Sequence, residues 1–375
     1  MRSSGVPFKP SIVTPEKPHV RIKDVAEKAG CSIGTVDRVI HNRGNVSEAI
    51  RQKVIQVIEE LGYQPNVNAR VLASKHTLHM GILLPSFRKG DYWELPNLGI
   101  RDAMERFQNQ GYRIHATFLS YNDSEGFRRS GKKMLSAEFD GIILNPASYR
   151  ETVWLARSCF QHEKPLILID SDISGLPSMT FIGKDPIQSG QTVAKLIHQL
   201  TRHIRGTKPV WIINLSKNLD QMYALLARES GFMNYFSARE NRGEYHFSSF
   251  DILDRNGQKS VDARLEELLK EGTPKAVYVT GSRVYKVARS LKKLQSDPKP
   301  LLIGHDLIKA NMECVQDETI DFLIEEEARR QGSLAVESMI RSVIHKESVE
   351  KKQLMNLLIY TSENLPVSVS PQEGG

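Results

Sequence analysis

The stretch from Val20 to Lys75 constrains this chain more than any other, because three short helical patterns follow one another there with clear starts and stops. The first helix is expected from near Lys23 to Gly30, whose missing Cβ suits a left-handed C-terminal turn. Val25, Ala26 and Ala29 share one face, and the small alanines let a second helix come close. Ser32 suits the N-cap of that second helix, since its hydroxyl can accept an orphan backbone N–H. Val36, Val39 and Ile40 then face inward, leaving Ile33, Gly34, Thr35, Asp37, Arg38 and His41 outside. A third helix starts at Ser47, places Ile50, Val54, Val57, Ile58 and Leu61 on one stripe, and stops at Gly62. Two short helices joined by a tight turn and braced by a third form a helix-turn-helix unit, whose second helix fits a DNA major groove. Taken alone, the pattern could equally be a helical subdomain used for packing.

The ordered string favours the first reading. Ile22, Asp24, Val25, Ala26, Ala29, Gly30, Ser32, Thr35, Val36, Arg38, Val39 and Ile40 are followed by Gly62, Tyr63, Pro65 and Asn66. This closely resembles the headpiece of the lactose-repressor (LacI/GalR) family of bacterial transcription regulators, without a gap. Three positions depart from the family pattern: Cys31 stands for the usual Val, Asp37 for Ser and His41 for Asn. Cys31 is a near-isosteric core change. Asp37 in the reading helix repels phosphates but can accept from cytosine N4–H₂. The resemblance implies base or phosphate contact by Ile33, Gly34 and Arg38, with Thr35 on phosphate. Gly34 has no side chain to read a base, which shifts specificity toward Ile33, Asp37, Arg38 and the hinge segment that follows the third helix.

Pro65 and Asn66 open a further short helical segment, Val67 to Ala73. A helix so short should not form alone in water. The resemblance implies a hinge helix that folds when two copies meet over the minor groove. Leu72 then takes the position that wedges between base steps, with Asn68 and Arg70 near minor groove or phosphates. Leu72 could instead pack between headpiece and body.

At 375 residues the chain is too long for one small domain. A net charge of +7 and a pI near 9.1 agree with a polyanionic partner, as they do with many soluble enzymes. Cys31, Cys159 and Cys314 lie far apart without a C-x-x-C, which argues against a disulfide framework or zinc site and suits a reducing cytosol. No apolar run approaches the ~20 residues of a membrane helix, and the N-terminus lacks the apolar core of a signal peptide. A cytoplasmic, nucleoid-associated protein is expected. Residues 1–18, rich in Ser and Pro, should be disordered.

From His79 onward, strand-like apolar runs alternate with helical segments. The runs are MGILLP, RIHATFL, GIILN, PLILID, MTFIG, PVWIINL, AVYVTG, PLLIGHD and DFLIEE, and helices are expected over Gly99–Gln110, Ile187–Leu200 and Asp220–Ser237. Near-continuous apolar strands in βαβ order imply parallel sheets covered on both faces, and this many runs fill two sheets better than one. Here the chain resembles the periplasmic-binding-protein-like effector domain of the same regulators, two Rossmann-like lobes closing on a small molecule, usually a sugar or derivative. The fold class is therefore an all-α helix-turn-helix headpiece plus a two-lobed α/β body. The divisions are a tail over 1–18, the DNA-binding domain over 19–64, a hinge over 65–76, the body over 77–362 and a tail over 363–375. Within the body, one lobe covers about 77–190 plus 328–355, the other about 191–327 plus 356–362.

Ligands of such folds bind beyond the carboxyl ends of strands. After MGILLP come Asp91, Tyr92, Trp93 and Glu94, where an aromatic pair beside carboxylates suits a sugar, or else anchors the next helix. After MTFIG come Lys184 and Asp185, then Gly190. The resemblance gives Asp185 an effector contact, although it could cap the helix from Ile187. Arg228 precedes Gly231-Phe232 in an R-x-x-G-F pattern whose Arg forks onto effector oxygens in the family, a surface salt bridge being the alternative. The family's Asn-Asp after the next strand is replaced by Gly281-Ser282 with Arg283 following, so Ser282 takes a site position without a carboxylate, against a common hexose. Asp306 matches the Asp of G-x-D, and Glu326 a polar pocket residue, though three consecutive Glu more often form a solvated face.

No H-E-x-x-H, G-x-S-x-G or P-loop is present, and nothing pairs carboxylates as acid and base, so no enzyme activity, cofactor or metal is expected. The resemblance implies a homodimer on a pseudo-palindromic duplex operator, acting as a ligand-responsive regulator, in the usual case a repressor. The tail TSENLPVSVSPQEGG has no heptads, so a tetramer is not expected. The alternatives are a solute- or sugar-binding sensor without a DNA role, and an enzyme acting on the ligand of its two-lobed domain.

Overall fold

A computed structural model describes residues 20–40, 44, 46–63, 77–146, 148–173, 175–216, 222–237, 239, 243–254 and 257–366. The chain divides into two compact units, Met1–Lys75 and His76–Gly375. The expectations for residues 1–18, for the hinge over 65–76, for His41 and for the tail beyond 366 fall outside the described residues.

The first unit contains α1 (Ile22–Ala29), α2 (Ile33–Ile40) and α3 (Glu48–Leu61). Gly30 and Gly62 end α1 and α3 in the left-handed region, with φ of 68° and 60°. The N–H of Arg21 donates to Asp24 at 2.7 Å, and that of Thr35 to the Ser32 hydroxyl at 3.1 Å, so Ser32 caps α2 as its position suggested. Val25, Ala26, Ala29, Val36, Val39, Val54, Val57 and Tyr63 form the core. Ile50 departs from the expected stripe and stays 41% exposed. It sits in the first turn of α3, and two eight-residue helices are too short to cover all fourteen residues of the third.

The second unit runs β1 (Leu78–Pro85), α4 (Glu94–Asn109), β2 (Ile114–Tyr121), α5 (Ser124–Ser136), β3 (Gly141–Leu144), α6 (Tyr149–Gln161), β4 (Leu166–Asp170) and β5 (Thr180–Gly183). It continues through α7 (Pro186–Thr201), β6 (Lys208–Ser216), α8 (Met222–Ser237), β7 (Tyr245–Leu253), α9 (Gln258–Glu271), β8 (Ala276–Val279), α10 (Val284–Lys293), β9 (Leu301–His305), α11 (Lys309–Gln316) and β10 (Phe322–Glu325). The last elements are α12 (Ala328–Val343), β11 (Lys352–Leu354) and β12 (Leu358–Tyr360).

Every apolar run anticipated above is a strand, and the body is the expected pair of sheets. One sheet is ordered β11-β5-β4-β3-β1-β2 and wholly parallel. The other is β12-β10-β9-β8-β6-β7, with β12 antiparallel to β10. The two orders correspond strand for strand, so β4 and β9 are equivalent, as are β5 and β10. Strands β7, β11 and β12 were not anticipated. β7 is a sheet edge whose exposed His246, Ser248, Ser249 and Asp251 interrupt its apolar residues, and the other two have three residues each.

The chain crosses between sheets after β5, after β10 and between β11 and β12. α7 packs on the second sheet, burying Val193, Ala194 and Ile197 with Val210, Ile212 and Phe232. α12 returns to pack against α4 beside the first sheet. Both helix pairs meet through glycines. A Cβ on Gly99 would lie 1.7 Å from the Arg329 carbonyl oxygen, and one on Gly332 2.1 Å from that of Pro96. A Cβ on Gly190 would lie 1.9 Å from the Arg228 carbonyl oxygen, and one on Gly231 2.1 Å from that of Ile187. Backbone meets backbone at both crossings, so neither neighbour can yield by a rotamer change.

Gly231→Ala is therefore expected to destabilise the body by about 1–3 kcal/mol or more, read from the denaturation midpoint. Gly34→Ala, where the nearest atom is 3.7 Å from the added Cβ, should hold or raise the headpiece midpoint. Equal midpoints for Gly231→Ala and the parent would show that α7 and α8 can separate freely.

Candidate functional site

The carboxyl ends of both sheets open onto one cavity of about 1250 Å³. Its walls come from loops after β1, β2, β3, β4 and β5 on one side, and after β6, β7, β8 and β9 on the other. Parallel sheets place ligand sites there, because loops diverge and backbone N–H and C=O groups end together. The volume exceeds the roughly 300–1,000 Å³ usual for small-molecule pockets.

A chain of charged side chains crosses beneath this cavity. The Tyr92 hydroxyl donates to Asp170 Oδ1 at 2.5 Å, and Lys184 Nζ lies 2.8 Å from the same oxygen. Lys184 also lies 3.3 Å from Glu326 Oε2 and 4.9 Å above the Tyr92 ring. Arg228 Nη2 donates to Glu326 Oε2 at 2.5 Å, and its Nη1 donates to the Thr280 carbonyl at 2.6 Å. Asp170, Lys184, Arg228 and Glu326 are all buried. Burial by itself would raise the Glu326 carboxyl, but Arg228 and Lys184 outweigh it and hold it below its ordinary value. Burial likewise opposes the charge on Lys184, and Asp170 and Glu326 more than restore it.

Asp170, the last residue of β4, and Asp306, just after β9, occupy equivalent strand ends, and both are left-handed, with φ of 69° and 72°. Such a conformation costs energy for a residue with a Cβ, and Asp tolerates it better than most. Both residues line the cavity. Asp306 is 2% exposed, and its Oδ1 has no hydrogen-bond partner. Burial pushes its carboxyl up to about 7, against the pull of Lys184 and Arg228. Asn311 holds the surrounding loops by donating to the carbonyls of Ser282, His305 and Asp306 at 2.8, 2.9 and 2.8 Å.

The sequence-derived residues distribute unevenly. Tyr92, Trp93, Arg228, Ser282 and Asp306 line the cavity. Tyr92 does so with its hydroxyl committed to Asp170. Asp185 does not line it; its Oδ1 accepts from the N–H groups of Ile187 and Gln188 at 3.0 and 3.1 Å and caps α7. Lys184, one residue earlier, is the group that reaches the cavity. Glu326 lies under the floor, held by Arg228 and Lys184. The run Glu325–Glu327 is not a solvated face: Glu325 and Glu326 are buried, and Glu325 accepts from the N–H groups of Leu307 and Ala328, both at 2.9 Å. Arg228 is not a surface salt bridge either.

Sequence reasoning missed Asp170, Lys184 and Asp254. The signal for Asp170 was present, since PLILID and PLLIGHD both finish a strand on Asp. Asp254, at the end of β7, meets Lys286 Nζ at 2.6 Å and Arg283 Nη1 at 3.6 Å. Among the described residues no group of three or more His, Cys, Asp or Glu could hold a metal ion. Among them, too, no helix is long and apolar enough to cross a membrane.

In the first unit, α2 turns Ile33, Gly34 and Arg38 to solvent, with Thr35 and Asp37 half-buried. Ile33 is 48% exposed. His41, Asn68, Arg70 and Leu72 lie outside the described residues.

The description "Periplasmic binding protein domain" matches residues 80–347, and "Bacterial regulatory proteins, lacI family" matches residues 21–66. Catabolite control protein A of Priestia megaterium is 36% identical over 133 residues, 36% of this chain and 39% of that protein. The regulator RegA of Clostridium saccharobutylicum is 30% identical over 211 residues, 56% of this chain and 59% of that protein. The regulator MalR of Streptococcus pneumoniae is 23% identical over 64% of this chain and 70% of that protein. The matched stretches thus cover between 39% and 70% of these relatives. Among solved structures, a protein described as a LacI transcriptional regulator from Bacteroides fragilis has a TM-score of 0.68 at 22% identity, over 77% of this chain and 98% of that one. GanP, a glucose-galactose binding protein from Geobacillus stearothermophilus, has a TM-score of 0.66 at 21% identity, over 78% of this chain and 100% of that one. At these identities the structural likenesses speak for the fold.

The buried pairing of Arg228 with Glu326 can be tested by removing one partner or both. Arg228→Met leaves Glu326 with Lys184 alone and should cost about 3–5 kcal/mol, whereas Arg228→Met with Glu326→Met should recover part of that loss. Denaturant unfolding measures both, and losses that simply add would argue against the pairing.

Proposed function

We propose that this chain, which belongs to the periplasmic binding protein domain family and carries a headpiece of the lacI family of bacterial regulatory proteins, is a sequence-specific DNA-binding transcription regulator controlled by a small polyhydroxylated ligand. The observation that carries the reading is the presence in one chain of a reading helix with exposed Ile33, Gly34 and Arg38 and a strand-end cavity with unmatched polar atoms. Those atoms include a donor on Arg228 and acceptors on Asp254 and Asp306. A hydroxyl group both donates and accepts, so a sugar or sugar derivative can answer both kinds. Tyr92, Trp93, Arg228, Ser282 and Asp306 contact it in this reading. Asp185 and Glu326 act indirectly, through the start of α7 and through Arg228.

The regulator works as a cytoplasmic homodimer, in the usual case a repressor. Residues 19–64 place α2 in the major groove of each half of a pseudo-palindromic operator, and 65–76 form hinge helices at its centre. Ile33, Asp37, Arg38 and His41 read bases, Thr35 holds phosphate, Asn68 and Arg70 reach minor groove or phosphates, and Leu72 wedges between base steps. Closure of the body, 77–362, on its ligand alters how the dimer holds the hinge helices and so shifts operator affinity, by the difference in ligand affinity between the two states. The body binds and does not turn over its ligand.

Binding of the full chain to its own upstream DNA against random duplex, across salt concentrations, tests this. A preference above about a thousandfold with a steep salt slope is expected, modulated by sugars found in a thermal-shift screen. Sequence-indifferent binding with every such ligand, and on genome-selected DNA, would leave a sugar sensor without a DNA role. Leu72→Ala should weaken specific binding far more than non-specific binding; equal losses would remove the wedge.

A further inference from the structure

Four carboxyl groups meet two cations where the chain crosses between the sheets. Asp170, Asp306, Glu325 and Glu326 are buried there, and Lys184 and Arg228 are the cations that face them. Both cations are already committed, Lys184 to Asp170 and Glu326, Arg228 to Glu326. Glu325 takes the N–H groups of Leu307 and Ala328 instead. Asp306 lines the cavity, and one of its carboxyl oxygens is buried without a partner. Full ionisation would leave two negative charges in excess in a place shielded from water, which is costly. A proton retained on the unpaired carboxyl relieves it, in keeping with the elevated Asp306 carboxyl described above.

The other groups facing Asp306 do not titrate in its place. Burial drives His305, its neighbour on β9, toward the neutral form. Burial and the nearby acids raise Tyr92, before α4, above its ordinary value, and burial raises Tyr278, on β8. Burial also raises Glu325, but that side chain does not line the cavity.

We propose that Asp306 holds a proton in the empty cleft and releases it to solvent when a ligand hydroxyl donates to its free oxygen, so that binding is coupled to proton release. The inference rests on the reading of the cleft as a polyol site. It makes Asp306 a specificity residue, because a ligand offering only an acceptor at this point would leave the proton in place and accept from it, with no proton release. Below the pH at which Asp306 loses its proton in the empty cleft, the ligand must first displace that proton. Affinity then falls by up to about tenfold per pH unit, and it levels off above.

Two measurements on the full chain decide the matter. Carboxyl ¹³C NMR of aspartate-labelled protein, with Asp306→Asn to assign the resonance, should show Asp306 titrating between pH 6 and 8 without ligand. A resonance that stays ionised or stays protonated from pH 5 to 9 overturns the proposal. Calorimetry with a panel of neutral mono- and disaccharides, in phosphate and in Tris buffer, should then show proton release at pH 7. Affinity should be about tenfold weaker at pH 6 than at pH 8. Binding with no proton release and equal affinity at both pH values also overturns it. A panel in which nothing binds would count against the polyol reading instead, and the carboxyl titration, which needs no ligand, keeps the two failures apart.

Discussion

The buried pairing of Arg228 and Lys184 with Glu326 is the constraint on which the rest of the body depends. Glu326 sits where the chain leaves β10 for α12, and Lys184 where it leaves β5 for α7. Two of the three crossings between the sheets are thus tied together by charge. Arg228 carries the tie into the second sheet through the Thr280 carbonyl, and Asp170 carries it into the first through Tyr92. A single member could not be neutralised cheaply, since each buried charge is stabilised by the others. The same tie fixes the cavity floor, because Tyr92, Asp170, Lys184 and Arg228 all line it.

The glycine crossings make this arrangement possible. Gly190 and Gly231 let α7 and α8 approach until backbones touch, and the carbonyl that Gly190 meets belongs to Arg228 itself. The first sheet solves the same problem with Gly99 and Gly332, which bring α4 onto α12. The spacing of Arg228 and Gly231, one helical turn apart, therefore has a mechanical meaning. The glycine sets how close α8 can come, and the arginine spends that closeness on reaching Glu326.

Most of the fold was legible because its signals are local. Apolar runs of four to nine residues, set between helical stretches, identify buried parallel strands wherever both faces are covered. β7 escaped notice because exposed His246, Ser248, Ser249 and Asp251 break up its apolar residues. The headpiece was legible down to the Ser32 cap, since a cap is an interaction between residues a few positions apart, here Ser32 with Thr35. Ile50 was misread because helical period shows which face points inward and says nothing about how far the covering helices extend.

The sequence by itself determined the two-part architecture, the strand ends around the cavity and the turns of the headpiece, all of which depend on neighbours within a few residues. Tertiary structure alone decided which of Lys184 and Asp185 reaches the cavity, because the free N–H groups that start α7 capture the Asp185 carboxylate. It also decided that a run of three glutamates is partly buried, because Arg228, nearly a hundred residues earlier in the chain, supplies the opposing charge. And it left one Asp306 oxygen without a partner at a strand end where the equivalent Asp170 has Tyr92, Lys184 and Ser171. The physical reason is common to all three: the state of a buried charge is set by the sum of distant charges around it, and no local pattern in a sequence carries that sum.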